Sequence, residues 1–275
     1  MKIAAVIVTF NRINLLKKCV DSIRCQTYKV DEIIVVNNSS TDGTLDWLNE
    51  QSDITTITQR NSGGAGGFHT GIKTAFEKGY DWIWCMDDDG YADENSLQKL
   101  LEFKIEEPCV LNSMVVSNID NSKLSFSLYD REQKRGHINL ADLKDYKIVK
   151  GACFFNGTLL HRYVIEQIKY PIKELYIHGD ELEYYLRILK YNYEILTITD
   201  SLFYHPPALV RIYNFGIFYH YYNYVSPTKR YYRIRNLVYL SKKYHFYTFK
   251  RLIKVFVCDS LIILFKRDFD PTPKL

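Results

Sequence analysis

Along the first ninety residues, runs of apolar residues alternate with segments whose apolar positions recur three and four apart. Ile3 to Val8 is a continuous apolar run closed by Thr9-Phe10-Asn11-Arg12, and Glu32 to Asn37 repeats the pattern; such runs mark strands buried on both faces. Between them Leu15, Leu16, Cys19, Val20 and Ile23 keep helical spacing, so strand, helix and strand form one βαβ unit with a right-handed crossover. The pattern then predicts a helix at 45–48, a strand at 54–57, a glycine-rich turn, a helix over 68–76 closed by Lys78-Gly79, and a strand at 82–86. Beyond residue 108 it predicts strands at 110–116, 124–128 and 148–155, a helix over 181–191 and a strand over 193–198. Two or more helices are expected from Phe215, the last over 247–265. This is an α/β chain with a mainly parallel sheet flanked by helices. Ligands of such sheets bind beyond the carboxyl ends of the strands. The polar clusters Thr9 to Arg12, Asn37 to Ser40 and Asp87 to Asp89 are therefore expected on one rim.

Composition narrows the class. With 275 residues, 47% hydrophobic and 25% charged, the chain buries a sizeable core, and fibrous, low-complexity and disordered readings drop out. Six cysteines show neither a C-x-x-C pair nor zinc spacing, which reads as free thiols in a reducing cytoplasm. The first apolar run is too short for a signal-peptide core, so no cleaved signal is expected. Charge is divided unevenly. Residues 1–200 carry 23 basic and 29 acidic side chains, whereas residues 201–258 carry ten basic ones and no Asp or Glu. The expected division is a body over 1–210 and a basic, Tyr-rich helical extension over 211–275. An anionic partner for that extension follows, either nucleic acid or an anionic membrane surface. Its last helix sets Phe249, Ile253, Phe256, Leu261 and Phe265 among Lys250, Arg251, Lys254 and Lys266. Its uncharged stretches fall well short of the roughly 20 residues a spanning helix needs, so it is expected to lie on a membrane.

Three adjacent carboxylates, Asp87-Asp88-Asp89, follow a hydrophobic strand and repel one another unless a cation sits among them. Mg²⁺ or Mn²⁺ suits carboxylates that share it with phosphate oxygens, against the plainer reading of a solvated acidic turn. Asn61-Ser-Gly-Gly-Ala-Gly-Gly-Phe68 lets a backbone approach a ligand ahead of a helix, but it is neither a Walker loop nor a dinucleotide fingerprint. In His178-Gly-Asp-Glu-Leu-Glu183 the acids stand at a predicted helix N-terminus. They read as a capping cluster with solvated charges, or as a general base if Asp180 or Glu181 reaches the aspartate rim. His205, ahead of two prolines, gains interest as a third metal ligand only beside Asp87 and Asp89.

Together these pieces resemble the family 2 inverting glycosyltransferases of the GT-A fold. The resemblance rests on Val6 to Arg12, Ile34 to Thr44, the triple aspartate as a D-x-D site, and Gly179 to Arg187. Arg60 to Phe68, followed by Trp84 to Asp89, is most similar to the galactofuranosyltransferase and rhamnosyltransferase branch, and Tyr231 to Asn236 also fits. The resemblance implies that Thr9, Asn11 and Arg12 line a nucleotide pocket, with Asn38 on the base and Asn61, Gly63 and Gly64 along the ribose and diphosphate. It implies Asp87 and Asp88 on the donor, and Asp87, Asp89 and His205 on Mn²⁺ or Mg²⁺. The base would be Glu181, with Asp180 the alternative, because the family's pair reads Asp-Asp or Glu-Asp. The implied activity is transfer of a sugar to a hydroxyl of a cell-surface polysaccharide or lipid-linked glycan. UDP-galactofuranose is the favoured donor and dTDP-rhamnose the second.

The same resemblance places the protein in the cytoplasm on the inner face of the membrane, with self-association as another use of the tail and nucleic acid set aside as a partner. The acceptor side is expected within residues 108–236. A nucleotidyltransferase is disfavoured because Thr9 to Arg12 is not its Gly-rich basic loop. A silent sugar-nucleotide or glycan binder is disfavoured because it need not keep both an acid rim and a base.

Overall fold

The computed structural model describes residues 1–103, 108–208, 210–214, 219–223, 227–245 and 249–265. The first half runs β1 (Ile3–Thr9), α1 (Ile13–Arg24), β2 (Glu32–Asn37), α2 (Thr44–Asn49), β3 (Ile54–Thr58), α3 (Gly63–Glu77), β4 (Trp82–Asp87), β5 (Tyr91–Ala92) and α4 (Ser96–Glu102). There follow β6 (Val110–Ser117), β7 (Lys123–Asp130), β8 (Arg135–Asn139), β9 (Ile148–Val149), β10 (Asn156–His161), α5 (Arg162–Ile168), α6 (Asp180–Lys190) and β11 (Ile195–His205). The hairpin β12 (Val210–Asn214) and β13 (Tyr219–Asn223) precedes α7 (Pro227–Tyr244) and α8 (Phe249–Phe265).

The main sheet has the order β3-β2-β1-β4-β10-β6-β11-β5. Strands β1 to β4 are parallel and β6 is parallel to β11, while β10 runs antiparallel between β4 and β6. Alternation along β1 divides the core. Ile3, Ala5 and Ile7 join Leu16, Val20 and Trp84 on one face, and Ala4, Val6 and Val8 join Phe68, Ile72, Tyr184 and Ile188 on the other. The carboxyl ends of β1, β2 and β4 thus open on one rim.

Helix α3 starts at Gly63 rather than near Phe68, so the glycines expected in a turn form its first turns. Their use is close approach. A Cβ on Gly67 would lie 2.3 Å from Val8 Cγ1, and one on Gly71 would lie 2.4 Å from Val6 Cγ1. Contact with β1 overrides the low helix propensity of glycine.

The strand expected at 148–155 is broken. Only Ile148–Val149 pairs, and β10 begins at Asn156. Gly151 passes so close to the backbone that a Cβ would stand 2.1 Å from the Tyr129 carbonyl oxygen, and Phe155 and Gly157 turn left-handed at φ 59° and 76°. This break stacks Phe155 on Phe68, with ring centroids 3.9 Å apart. Helices α4 and α5 and the short strands β5 and β8 are additional to the elements the pattern predicts. From Phe215 the chain was expected to be helical, but residues 219–223 are strand β13, and residues 215–218 lie outside the described residues.

Helix α7 packs against α6. Glu183 is fully buried and accepts from Lys243 Nζ at 3.0 Å, Tyr244 Oη at 2.6 Å and Arg187. Part of the basic surplus therefore meets an acid of the chain itself. Among the described residues no helix is long and apolar enough to cross a membrane.

Gly71→Ala tests the close packing of α3. Overpacking of about 1–3 kcal/mol outweighs the helix-propensity gain of at most about 1 kcal/mol, so the urea midpoint should fall with the m-value unchanged.

Candidate active site

The rim is assembled by strand ends. Asp87 closes β4, and Asp88 and Asp89 follow it. Thr9, the last residue of β1, donates from Oγ1 to Asp88 Oδ2 at 2.7 Å. The Arg12 guanidinium bridges Asp88 Oδ1 at 3.1 Å and Asp89 Oδ2 at 2.6 Å. His205 is the last residue of β11 rather than part of a loop beyond it, and its Nε2 lies 2.9 Å from Asp89 Oδ1. Its Nδ1 pairs with the Pro206 carbonyl at 2.6 Å.

These partners divide the protonation states of the three aspartates. Burial pushes Asp87 well above the usual carboxylate range, and the charges of Asp89 and Asp88 push it further. Burial also raises Asp88, to about 6, against the pull of Arg12 and Thr9. Asp89 is held down at about 2, because His205 and Arg12 outweigh its own desolvation. His205 is raised in return, with the Asp89 ion pair overcoming its burial.

Asn11 adopts φ 54°, its side-chain oxygen accepts from the Thr41 N–H at 2.7 Å, and its own N–H donates to Ser40 Oγ. Asn38 is buried, donating to the Gly63 carbonyl at 3.1 Å and accepting from Gln59 at 2.8 Å. Asn61 Oδ1 accepts from the Gly63 N–H at 2.9 Å. Asn38 and Asn61 thus set the turn that leads into α3, and Asn11 ties the end of β1 to the turn ahead of α2. Gly63 needs its φ of 70°, and a Cβ there would meet the Tyr176 carbonyl oxygen at 2.0 Å. Gly64 faces the acids, since a Cβ on it would lie 3.7 Å from Asp180 Oδ2.

Asp180 and Glu181 open α6 behind Gly179, which caps it at φ 88°. Asp180 is buried, not solvated, and its carboxyl is pushed well above the usual range by burial and then by the neighbouring charge of Glu181. Glu181 Oε2 accepts from the Gly179 N–H at 2.9 Å. Its charge adds to those that oppose ionisation of Asp87. Glu181 also lines a cavity of about 560 Å³ walled by Phe126, Phe154, Tyr185 and Leu237, with Arg233 among the lining residues. His178 lines the same cavity. Its Nε2 is buried without a hydrogen-bond partner, and burial lowers its pKa.

Among the described residues no group of three His, Cys, Asp or Glu side chains is set as a ready metal cluster. The donor chemistry at the rim nonetheless fits a divalent cation. Asp89 Oδ1 is buried with no aligned hydrogen bond, beside an imidazole and an Asp87 carboxyl whose ionisation its neighbours oppose.

Arg235 and Asn236 lie in the Tyr231 to Asn236 stretch but carry no expected role. Asn236 is buried and donates to the carbonyls of Leu175, Ile177 and His178, and Arg235 donates to those of Glu174 and Leu175. A buried Asn beside an Arg in a basic helix was the available signal.

Residues 4–168 match the family described as Glycosyl transferase family 2. The chain is 33% identical over 215 residues to galactofuranosyltransferase GlfT1 of Mycobacterium tuberculosis, covering 74% of this chain and 69% of that protein. It is 26% identical over 260 residues to the dTDP-rhamnosyl transferase RfbF of Shigella flexneri, covering 88% of this chain and 81% of that one. Among solved structures, S. aureus TarS 1–349 in complex with UDP is similar at a TM-score of 0.58 and 16% identity, covering 100% of this chain and 76% of that chain. A longer S. aureus TarS chain is spanned over 40% of its length at a TM-score of 0.56, 16% identity and 89% coverage of this chain. GalNAc-T7 with UDP, GalNAc and Mn²⁺ is similar at a TM-score of 0.58 and 14% identity, over 76% of this chain and 43% of that one. At these identities the structural likeness is one of fold, a GT-A-like arrangement.

The buried state of Asp88 has a measurable sign. Between its ordinary value of 3.8 and its folded value of about 6, the native protein keeps a proton that the unfolded chain releases. Stability from this group therefore falls as pH rises through that window. Urea denaturation from pH 4 to 7 should show a shallower decline in Asp88→Asn than in the parent; parallel declines would remove this account of Asp88.

Proposed function

Because the chain belongs to glycosyl transferase family 2, we propose that it is an inverting, metal-dependent hexosyltransferase that moves a sugar from a nucleotide donor to a hydroxyl of a cell-surface or lipid-linked glycan. UDP-galactofuranose is the favoured donor, supported by 33% identity to a galactofuranosyltransferase. dTDP-rhamnose stands second, supported by the 26% identity to a dTDP-rhamnosyl transferase. The observation that carries the reading is the position of Glu181, which is held by the Gly179 N–H at the start of α6 and lines the large cavity.

In this reading the donor diphosphate lies over the rim of Thr9, Arg12 and Asp87 to Asp89, beside the turn of Asn11, Asn38, Asn61, Gly63 and Gly64. The acceptor enters the cavity between β7, α6 and α7, whose lining falls mostly within the stretch 108–236. Glu181 takes the proton of the acceptor hydroxyl as that oxygen attacks the anomeric carbon. Burial and the neighbouring charge of Glu181 push the Asp180 carboxyl well above the usual range, and it lies against the first turn of α3 rather than along the cavity. Arg12 orients Asp88 and Asp89 and sets positive charge beside the departing diphosphate. Asp87, Asp89 and His205 would hold Mn²⁺ or Mg²⁺, which as a Lewis acid offsets the charge developing on that leaving group.

The exposed Ile253, Phe256 and Val257 of α8, on a helix that also carries Lys250 and Lys254, suit a peripheral position on the anionic inner face of the cell membrane. Self-association through the same face is the competing use.

Calorimetric titration with UDP, dTDP and GDP, with and without Mn²⁺, tests the donor. One nucleotide should bind in a metal-dependent way, and Asp89→Ala should lose that dependence. Glu181→Gln should keep nucleotide affinity and lose about 10²–10⁴-fold in turnover. Full turnover in that variant would remove Glu181 as the base. On the membrane question, co-sedimentation with anionic vesicles but not with neutral ones is expected, and a Phe256→Glu change should weaken it; equal sedimentation with both would sink the membrane reading.

A further inference from the structure

Asn236 on α7 meets the base through a single peptide unit. The carbonyl of the peptide joining His178 to Gly179 accepts from Asn236 Nδ2 at 2.6 Å, and the N–H of that same peptide donates to Glu181 Oε2 at 2.9 Å. One planar group is thus held at both ends, by α7 on one side and by the base on the other.

Its orientation is not fixed by its own sterics. Gly179 sits at φ 88° and ψ −1°, and a glycine tolerates the rotated peptide as readily as the observed one. The flanking residues are already in uncommon conformations, with His178 at φ 62° and Tyr176 at φ 66°. Hydrogen bonds select the observed state. The two amide hydrogens of Asn236 are shared among the carbonyls of Leu175 at 2.8 Å, Ile177 at 3.1 Å and His178. Arg235 fixes which end of the amide faces them, donating to Asn236 Oδ1 from Nε at 2.9 Å and from its terminal nitrogen at 2.8 Å. On the far side of the loop, the Tyr176 carbonyl accepts from the Ala65 N–H in the first turn of α3.

We propose that Asn236 is a positioning residue for the base: it fixes the His178–Gly179 peptide so that its N–H holds the Glu181 carboxylate toward the acceptor cavity. Were the peptide to rotate, a carbonyl would replace that N–H, and the carboxylate would be repelled from its place. The oriented donor also strengthens as its carbonyl is engaged, since linked hydrogen bonds polarise one another. The inference rests on Glu181 being the base. It adds that the basic C-terminal helix is part of the catalytic machinery's support.

A double-variant cycle in the full chain separates this role from general packing. Asn236→Ala should lower kcat by up to about 100-fold, the scale of a misplaced group, while the donor KM and the nucleotide affinity stay within about twofold. In a Glu181→Gln background the same change should lower kcat by no more than about twofold, because the group it positions is already gone. Tyr244→Phe, which removes a bond between α7 and Glu183 without touching this peptide, should cause a loss that multiplies in that background.

If Asn236→Ala does not fold, Arg235→Lys releases Asn236 Oδ1 and should show a smaller loss with the same dependence on Glu181. Losses that multiply for Asn236 or Arg235 as they do for Tyr244 would overturn the proposal. Normal turnover of Glu181→Gln alone would instead overturn the base assignment on which it stands.

Discussion

Acid groups near enough to feel one another's charge oppose each other's ionisation, and the arrangement around Asp87, Asp88, Asp89, Asp180 and Glu181 follows from that constraint. Each carboxyl finds a different resolution. Asp89 keeps its charge between Arg12 and His205. Asp88 shares Arg12 and takes the Thr9 hydroxyl, yet burial still favours its proton. Asp87 and Asp180 are pushed toward neutrality by desolvation and by their neighbours. Glu181 is the one of the five held by a backbone N–H beside a roomy cavity. The result is an uneven set of carboxyls rather than a uniform negative patch, which suits the separate roles proposed for them in donor binding and proton removal.

The places of Asp180 and Glu181 depend on how closely four segments meet. The first turn of α3, the left-handed loop before α6, the N-terminus of α6 and the middle of α7 converge within hydrogen-bonding distance. Gly63 lets Tyr176 approach α3, Gly64 leaves room for Asp180, and Asn236 gathers three carbonyls of the loop. Buried polar groups of this kind are costly unless fully paired, so the pairing fixes the loop as much as the loop fixes the pairing. Glu183 adds a second anchor between the same helices, a buried carboxylate with donors from Arg187, Lys243 and Tyr244.

The parts of this site that were legible in the sequence are those with a local signature. Strands β1, β2 and β4 announce themselves as apolar runs ending in polar clusters, and such ends mark the ligand rim of a parallel sheet, so Thr9, Arg12 and the triple aspartate were found together. The start of α3 was misread because glycine propensity points to a turn, while the reason for those glycines is the side chains of Val6 and Val8 on another element. The break before β10 was hidden for a similar cause: Gly151 and Phe155 obey a neighbouring backbone and a stacked ring. The basic tail was read as seeking an external anion, yet Lys243 and Arg235 engage Glu183 and loop carbonyls of the chain itself. Charge can be counted from sequence, but its partner is set by which helices the fold brings together.

The contact of α3 with β1 also restricts how this chain can change over time. Gly71 with Val6, and Gly67 with Val8, behave as locked pairs, because any side chain added on the helix needs atoms removed from the strand. If the strand residue shrinks first, a void opens; if the helix residue grows first, a collision results. Every route between viable sequences at these four positions therefore crosses a less stable ancestor, unless both partners change at once. Val8 stands next to Thr9, so such exchanges run along the very strand that delivers the hydroxyl to Asp88. Drift in the packing of one helix is thereby yoked to the chemistry at the end of the strand beneath it.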